Sequence, residues 1–514
     1  MTLHPSDMIA PRPGSNLKDA ATGAAWTYLL DSLEARRLLV LGRPDPSAVA
    51  TLDRLSESVV IADALDDLPA GVFDVVYVAP VAARWLETAG AVSALAQRVA
   101  APGGQLCIDA SGPIASQLES AEIPFDRYWA TPARGEMRSA VPANDSAVRR
   151  YFVANRIVVP SMPRLLRAFD RHAPVAASRR RTILLARPAG GRLPTGSPSI
   201  PAYLEAIAHE AGVDLRAHRF GLSARGRYSS RKVIFYLFPP GAEHPDLIVK
   251  TTRDPVHNAR LVNEERALRL VAASKYAEAG TAPGVAFSGE HGGLALVGEE
   301  AIGGVLLNAR AQRADAVGAY AWITHLGAAS ARWGPTEAAA IRATVEDIAD
   351  AVARVYALAP AQSARLAQAV GTLAHHAEKV PLVMMHGDPT SGNALRRSDG
   401  RIAFLDWESA TADGLPLWDL FHFARAHLLD MVTLRRVARQ PQRLIEMLRR
   451  DATLQATVER YVEVLGVPVE VVEPLFLTGW AYRALKEVSR LRATELQTGH
   501  YIGLVRASLD RIES

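Results

Sequence analysis

The stretch from Pro381 to Glu408, PLVMMHGDPTSGNALRRSDGRIAFLDWE, constrains this chain more than any other. Two short apolar runs end in aspartates, Asp388 after His-Gly and Asp406 before Trp-Glu, and Asn393 follows the first aspartate by five residues. Short apolar runs bounded by turn residues read as buried strands. Three oxygen-bearing side chains are therefore gathered at two consecutive strand ends. Asp, Asn and Gly are also ordinary turn residues, so the rest of the chain decides between a plain turn and a site.

A length of 514 residues allows about two to four domains, each able to bury a core without a disulfide or metal staple. Cys107 is the sole cysteine, so no intrachain disulfide forms and a reducing compartment fits. The first twenty residues lack a basic start followed by an apolar core, and no run of about 18 apolar residues occurs. The expectation is a cytoplasmic enzyme with no integral membrane segment and an open oligomeric state. The net charge of +4 is small, and the densest basic cluster, ASRRRT at Ala177–Thr182, is short. A nucleic-acid partner is not expected, because no basic stripe interleaved with aromatics is present. Of 58 basic residues only Lys18, Lys232, Lys250, Lys275, Lys379 and Lys486 are lysines. A lysine in a structured position is thus a candidate for work that needs a compact point charge.

Residues 33–113 alternate apolar runs with helical patterns: RRLLVLGRPDP, SAVATLDRLSES, SVVIADALDDLP, VFDVVYVAP and AVSALAQRVAAPGGQLCIDASG. Strand–helix alternation implies a parallel, doubly wound sheet. The order resembles the class I methyltransferase fold that binds S-adenosylmethionine, with RRTILLARP at Arg180–Pro188 suiting a last strand. That family carries a glycine-rich turn after its first strand. Here the turn is Gly42-Arg43-Pro44-Asp45-Pro46, where two prolines remove N–H donors. Residues 1–190 are therefore expected to form a degenerate Rossmann-like domain serving as scaffold or docking unit. A Pro/Gly/Ser-rich linker at 191–201 follows, with few contacts expected across it.

Residues 202–514 read as an α+β, bilobal domain, with an N-lobe at about 202–300 and a helical C-lobe at about 301–514. H-x-D-x-x-x-x-N is the spacing of the protein-kinase catalytic loop, in which an aspartate on the following strand end supplies a metal ligand. A base near an attacking hydroxyl suits Asp388. Magnesium prefers hard oxygen ligands, which suits Asn393 and Asp406. A lysine at the end of DLIVK, Lys250, would neutralise nucleotide phosphates, and NEERAL offers Glu264 or Glu265 to hold it. Glu264 shares a helix face with Leu268 and Val271 and is preferred. The loop GLSARGRYSS offers Gly226 and Ser229 to phosphate oxygens, and the backbone near Gly298–Ala301 is a candidate for the adenine edge.

HGDPTSGNAL, FLDWE and GLPLWDLFHF resemble the aminoglycoside phosphotransferase and choline kinase-like superfamily, which has a protein-kinase-like fold. The resemblance implies that Asp388 is the catalytic base, that Asn393 and Asp406 bind Mg2+, and that Lys250 contacts ATP. It also implies that His386 braces the loop and that Asp419 ties down its backbone. The expected acceptor, on that resemblance, is a hydroxyl of a small molecule such as a sugar, aminoglycoside, amino alcohol or glycoconjugate. Two rivals are a bifunctional methyltransferase-kinase and a pseudokinase scaffold; the second conflicts with the complete set of ionisable groups. No G-x-S-x-G elbow supports a hydrolase. His375-His376 and the pair His422 and His427 have the wrong helical spacing for a shared metal.

Overall fold

A computed structural model describes residues 24–44, 46–64, 67–68, 71–86, 91–92, 94–95, 104–111, 125–131, 137–155, 157, 181–186, 199–224, 232–309, 313–431 and 440–510. One compact unit comprises Asn16–Leu261 with Val285–Ala301, and a second comprises Val262–Gly284 with Ile302–Ser514. Neither boundary falls at 191–201, most of which lies outside the described residues.

The first unit is built on one sheet. Its strands are β1 (Ala35–Leu41), β2 (Ser56–Ala62), β3 (Val75–Val78), β4 (Gln105–Ser111), β5 (Asp126–Thr131), β6 (Ser139–Pro142), β7 (Arg181–Ala186), β8 (Arg219–Ser223), β9 (Lys232–Phe238), β10 (Leu247–Thr252), β11 (Val285–His291) and β12 (Leu294–Glu300). Their order is β11-β12-β10-β9-β8-β6-β5-β7-β4-β3-β1-β2. β2, β1, β3 and β4 run parallel, as the strand–helix alternation predicts, whereas β7 lies antiparallel beside β4. β3 and β7 are buried throughout, which fits the apolar character of β3 and of β7 beyond Thr182, whereas β9 alternates half-buried and buried positions.

The expectation that few contacts cross the linker is corrected here. β6 pairs with β8 at Ser139 with Ser223 and Ala140 with Leu222, joining the front strands to those that follow residue 202. Arg219 binds Asp145 at 2.9 Å, and the Tyr203 amide donates to the Asp31 carbonyl at 3.1 Å. One apolar core runs through both sides, from Trp26, stacked on Tyr77 at 4.0 Å, to Phe220, Phe235 and Phe287. Each such side chain contributes roughly 1.5–3 kcal/mol on burial, so the shared core ties the two sides together. A buried charge cluster also ties β3, β4 and β7 together. Arg181 Nε reaches both Asp109 oxygens at 2.7 and 2.9 Å, and Tyr77 donates to Asp109 at 3.1 Å.

In the second unit β13 (Val305–Leu306), β15 (Ala394–Arg396) and β16 (Ile402–Phe404) form one small sheet, and β14 (Val383–Met385) pairs with β17 (Thr411–Gly414). Helices make up most of the remainder. The helix Pro335–Val355 starts with proline in its first turn and buries Ala338, Ile341, Val345, Ile348 and Val352, the spacing of one helical face. Trp418–Met431 and Val472–Val488 carry the polar groups described below. Among the described residues no helix is long and apolar enough to cross a membrane.

Candidate active site

The β15–β16 hairpin turns at Asp399-Gly400, where Gly400 has a φ of +82° and Asp399 accepts the Arg401 amide at 3.0 Å. Ala394 faces Phe404 across the hairpin, and the Leu405 amide donates to the Asn393 carbonyl at 2.8 Å. The hairpin thus brings the residues before β15 and after β16, Asn393 and Asp406, to the same end. Asp406 has a φ of +66°, a conformation that aspartate tolerates better than most residues and that recurs at functional sites.

His386 is fully buried and links the two strand ends. Its Nε2 donates to the Leu405 carbonyl at 3.0 Å, and its Nδ1 accepts the Asp388 amide at 3.3 Å. That pairing needs the neutral ring, and burial lowers the His386 pKa accordingly. Gly387 has a φ of +79°, and a Cβ there would run into the Ser409 carbonyl, so only glycine fits. Its amide donates to Asp419 Oδ2 at 3.1 Å. Asp419 sits in the first turn of the helix Trp418–Met431, and burial raises its pKa against the opposing effect of Arg483.

Asp388 keeps a third of its side chain exposed. His422 Nε2 lies 3.1 Å from its Oδ1, and Arg483 Nη1 lies 3.6 Å from the same oxygen. Burial works to raise the Asp388 pKa, but the His422 hydrogen bond and the Arg483 charge prevail and hold the carboxyl well below the usual range. Asn393 donates Nδ2 to the Asp388 carbonyl at 3.0 Å, with Asp388 Oδ2 at 3.5 Å. Its amide oxygen is thereby turned away from that carbonyl. Among the described residues no cluster of three His, Cys, Asp or Glu side chains is placed to hold a metal. Asn393 and Asp406 fit an ion that takes few protein ligands and completes its shell with phosphate oxygens and water, as magnesium does.

Glu264, on the helix Asn258–Ser274, is buried and accepts the Trp407 amide at 3.0 Å. Its neighbour Asn263 donates to the carbonyls of Glu408 and Ala410 at 3.1 and 2.9 Å, so this helix fixes the Asp-Trp-Glu segment. Glu265 instead pairs with Arg269 one turn on. In the first unit Lys250 lies within β10, which continues to Thr252 and so does not end at the lysine as expected. Lys250 is buried, with Nζ 2.9 and 2.8 Å from the two oxygens of Glu299. Lys250 faces Val297 across β10 and β12, and Glu299, two residues further on, shares that face. Gly226 and Ser229 lie outside the described residues. Sequence reading missed Glu299, His422 and Arg483. The spacing of Asp419 and His422, three apart on one helix, was the available signal for the histidine.

The family described as the phosphotransferase enzyme family, APH, matches residues 229–463. No curated relative matches the chain. Among solved structures, aminoglycoside phosphotransferase APH(3'')-Id from Streptomyces rimosus, in complex with ADP and streptomycin, is 16% identical with a TM-score of 0.33, over 50% of this chain and 90% of that one. Choline kinase LicA from Streptococcus pneumoniae is 14% identical with a TM-score of 0.35, over 56% and 92%. WbdD, solved with the kinase inhibitor LY294002, is 13% identical with a TM-score of 0.26, over 86% and 88%. At these identities and scores the pairings add nothing to the family match. The His-Gly-Asp, Asn and Asp-Trp-Glu groups all lie inside residues 229–463, the segment that matches the phosphotransferase enzyme family, and that match supports a phosphotransferase.

Proposed function

We propose that the chain transfers the γ-phosphoryl group of ATP, with magnesium, to a hydroxyl of a small molecule such as a sugar, aminoglycoside, amino alcohol or glycoconjugate. The observation that carries this reading is the partly exposed Asp388 carboxylate, held from behind by His422 and Arg483 on a loop fixed by His386, Asn393 and Asp419. The acceptor hydroxyl binds Asp388, and its oxygen attacks the γ-phosphorus. The bond to the β–γ bridging oxygen breaks, and the hydroxyl proton passes to Asp388 as ADP leaves. Asp388 orients the hydroxyl and accepts its proton as the bond to the leaving group breaks. Asn393 and Asp406 would hold magnesium, which supplies charge neutralisation on phosphate oxygens. Lys250, set by Glu299, is assigned to the nucleotide phosphates; Glu264 supports the segment that carries Asp406. Phosphate contact from Gly226 and Ser229 remains part of the proposal.

The front strands are assigned to a methyltransferase-like Rossmann arrangement without cofactor binding. The parallel order β2-β1-β3-β4, with β7 antiparallel beside β4, supports the fold. The two prolines after Gly42 support the loss of the ligand turn. Acceptor pools screened for ATP consumption by the full chain, with Asp388→Asn as control, test the main reading. Acceptor-dependent ADP release that survives in that variant removes Asp388 from its role.

A further inference from the structure

Asp388 Oδ1 and Oδ2 have unequal surroundings. Oδ1 faces His422 Nε2 at 3.1 Å and Arg483 Nη1 at 3.6 Å, whereas the contact recorded for Oδ2 is Asn393 Nδ2 at 3.5 Å. We infer that His422 is a positioning residue that holds Oδ1 and thereby assigns Oδ2 as the atom that meets the acceptor hydroxyl. This inference rests on the reading of Asp388 as the base.

His422 and Asp419 sit three residues apart on the helix Trp418–Met431, so one helix face serves both the loop backbone, through Gly387, and its carboxylate. Arg483, on Val472–Val488, extends toward both acids, 3.6 Å from Asp388 and 3.5 Å from Asp419. His422 is 1% exposed, and among the described residues its Nδ1 has no hydrogen-bond partner. A buried imidazole with one engaged nitrogen is explained by that single bond, because leaving the other unpaired is costly. Burial, followed by the nearby Arg483 charge, lowers its pKa well below the ordinary value, so the ring is neutral and its one N–H goes to Asp388. A carboxylate fixed on one oxygen cannot swing about its terminal torsion, which otherwise has a broad, two-fold preference. Displacement of such a group by about 1 Å can cost about 10²-fold in rate.

The test uses the full chain and Mg-ATP with water as acceptor, following kcat and KM for ATP in His422→Leu, His422→Gln, His422→Asn and Asp388→Asn. A glutamine amide reaches the Nε2 position, and an asparagine amide stops short of it. His422→Leu and His422→Asn should lower kcat by about 10²-fold with KM for ATP within about two-fold, and His422→Gln should recover most of the loss. If the leucine variant does not fold, the Gln–Asn contrast carries the test. Equal kcat in the Gln and Asn variants, with Asp388→Asn inactive, overturns the positioning role and leaves the base standing. Unchanged kcat in Asp388→Asn overturns the base reading itself.

Discussion

Replacing Gly387 by alanine tests whether the loop that carries Asp388 depends on a backbone that only glycine allows. Gly387 has a φ of +79°, and Gly400, at the tip of the adjacent hairpin, has a φ of +82°. An L-residue in that region costs about 1–2 kcal/mol at either position. The surroundings differ. Among the described residues a Cβ on Gly400 meets nothing within 4 Å, whereas one on Gly387 overlaps the Ser409 carbonyl oxygen and lies 2.6 Å from its carbon. That obstacle is backbone and cannot rotate aside, which adds about 1–3 kcal/mol of overpacking. Relief requires Gly387 to move, which lengthens its 3.1 Å bond to Asp419 and shifts Asp388. Gly400→Ala should therefore lose about 1–2 kcal/mol and keep its turnover. Gly387→Ala should lose about 2–5 kcal/mol and about 10²-fold in kcat. Denaturant unfolding and steady-state ATP turnover, measured side by side, are the assays. Equal losses in the two variants would refute the steric explanation, leaving conformation alone as the cost.

Asp388→Asn keeps the shape but removes the proton acceptor, so turnover should fall by about 10²–10⁴ with little change in ATP affinity; near-normal turnover counts against the base. Asp406→Ala removes the one anionic ligand assigned to magnesium and should abolish magnesium-dependent ATP binding; an unchanged titration by calorimetry means the ion sits elsewhere. Arg181→Met leaves Asp109 charged and buried and should cost about 3–5 kcal/mol, whereas pairing it with Asp109→Leu should recover most of that loss; a double variant as unstable as the single refutes the pairing argument. Burial raises the Cys107 thiol well above its ordinary pKa, so the folded state holds that proton where the unfolded state has lost it. Its contribution to stability is present below the ordinary thiol range and declines as pH rises through about 8.5 and beyond; alkylation in the native protein at pH 8, as fast as after denaturation, contradicts this burial.

The placement of the candidate residues was legible where it is local. Asp388, Asn393 and Asp406 announce themselves by spacing within one hairpin and its flanks, and the hydrogen bonds from Leu405 and Asn393 that gather them follow from the β15–β16 pairing. Asp419 was legible for the same reason, as a helix-start residue with a resemblance behind it. Glu299, His422 and Arg483 were not. Each acts through a partner far along the chain, and helical or strand periodicity reports which face a residue shares, not what stands opposite. His422 was weighed as half of a metal pair with His427 and set aside on spacing. That spacing test was sound for a metal and blind to a bond with Asp388.

The same division governs the front of the chain. Parallel strands β1 to β4 were legible, because buried parallel strands are written as unbroken apolar runs separated by helical pattern. The pairing of β6 with β8 was not, since Ser-Ala-Val-Pro and Arg-Phe-Gly-Leu-Ser carry no alternation that sets their partner. Composition marks 191–201 as a connection, but a connection of that composition does not make its two sides independent. Separated there, each side would leave an open strand edge, β6 on one and β8 on the other, together with the aromatic face that Tyr128 and Phe220 now share. The front strands have a structural role of their own in this chain, because they complete the sheet on which Lys250 is held.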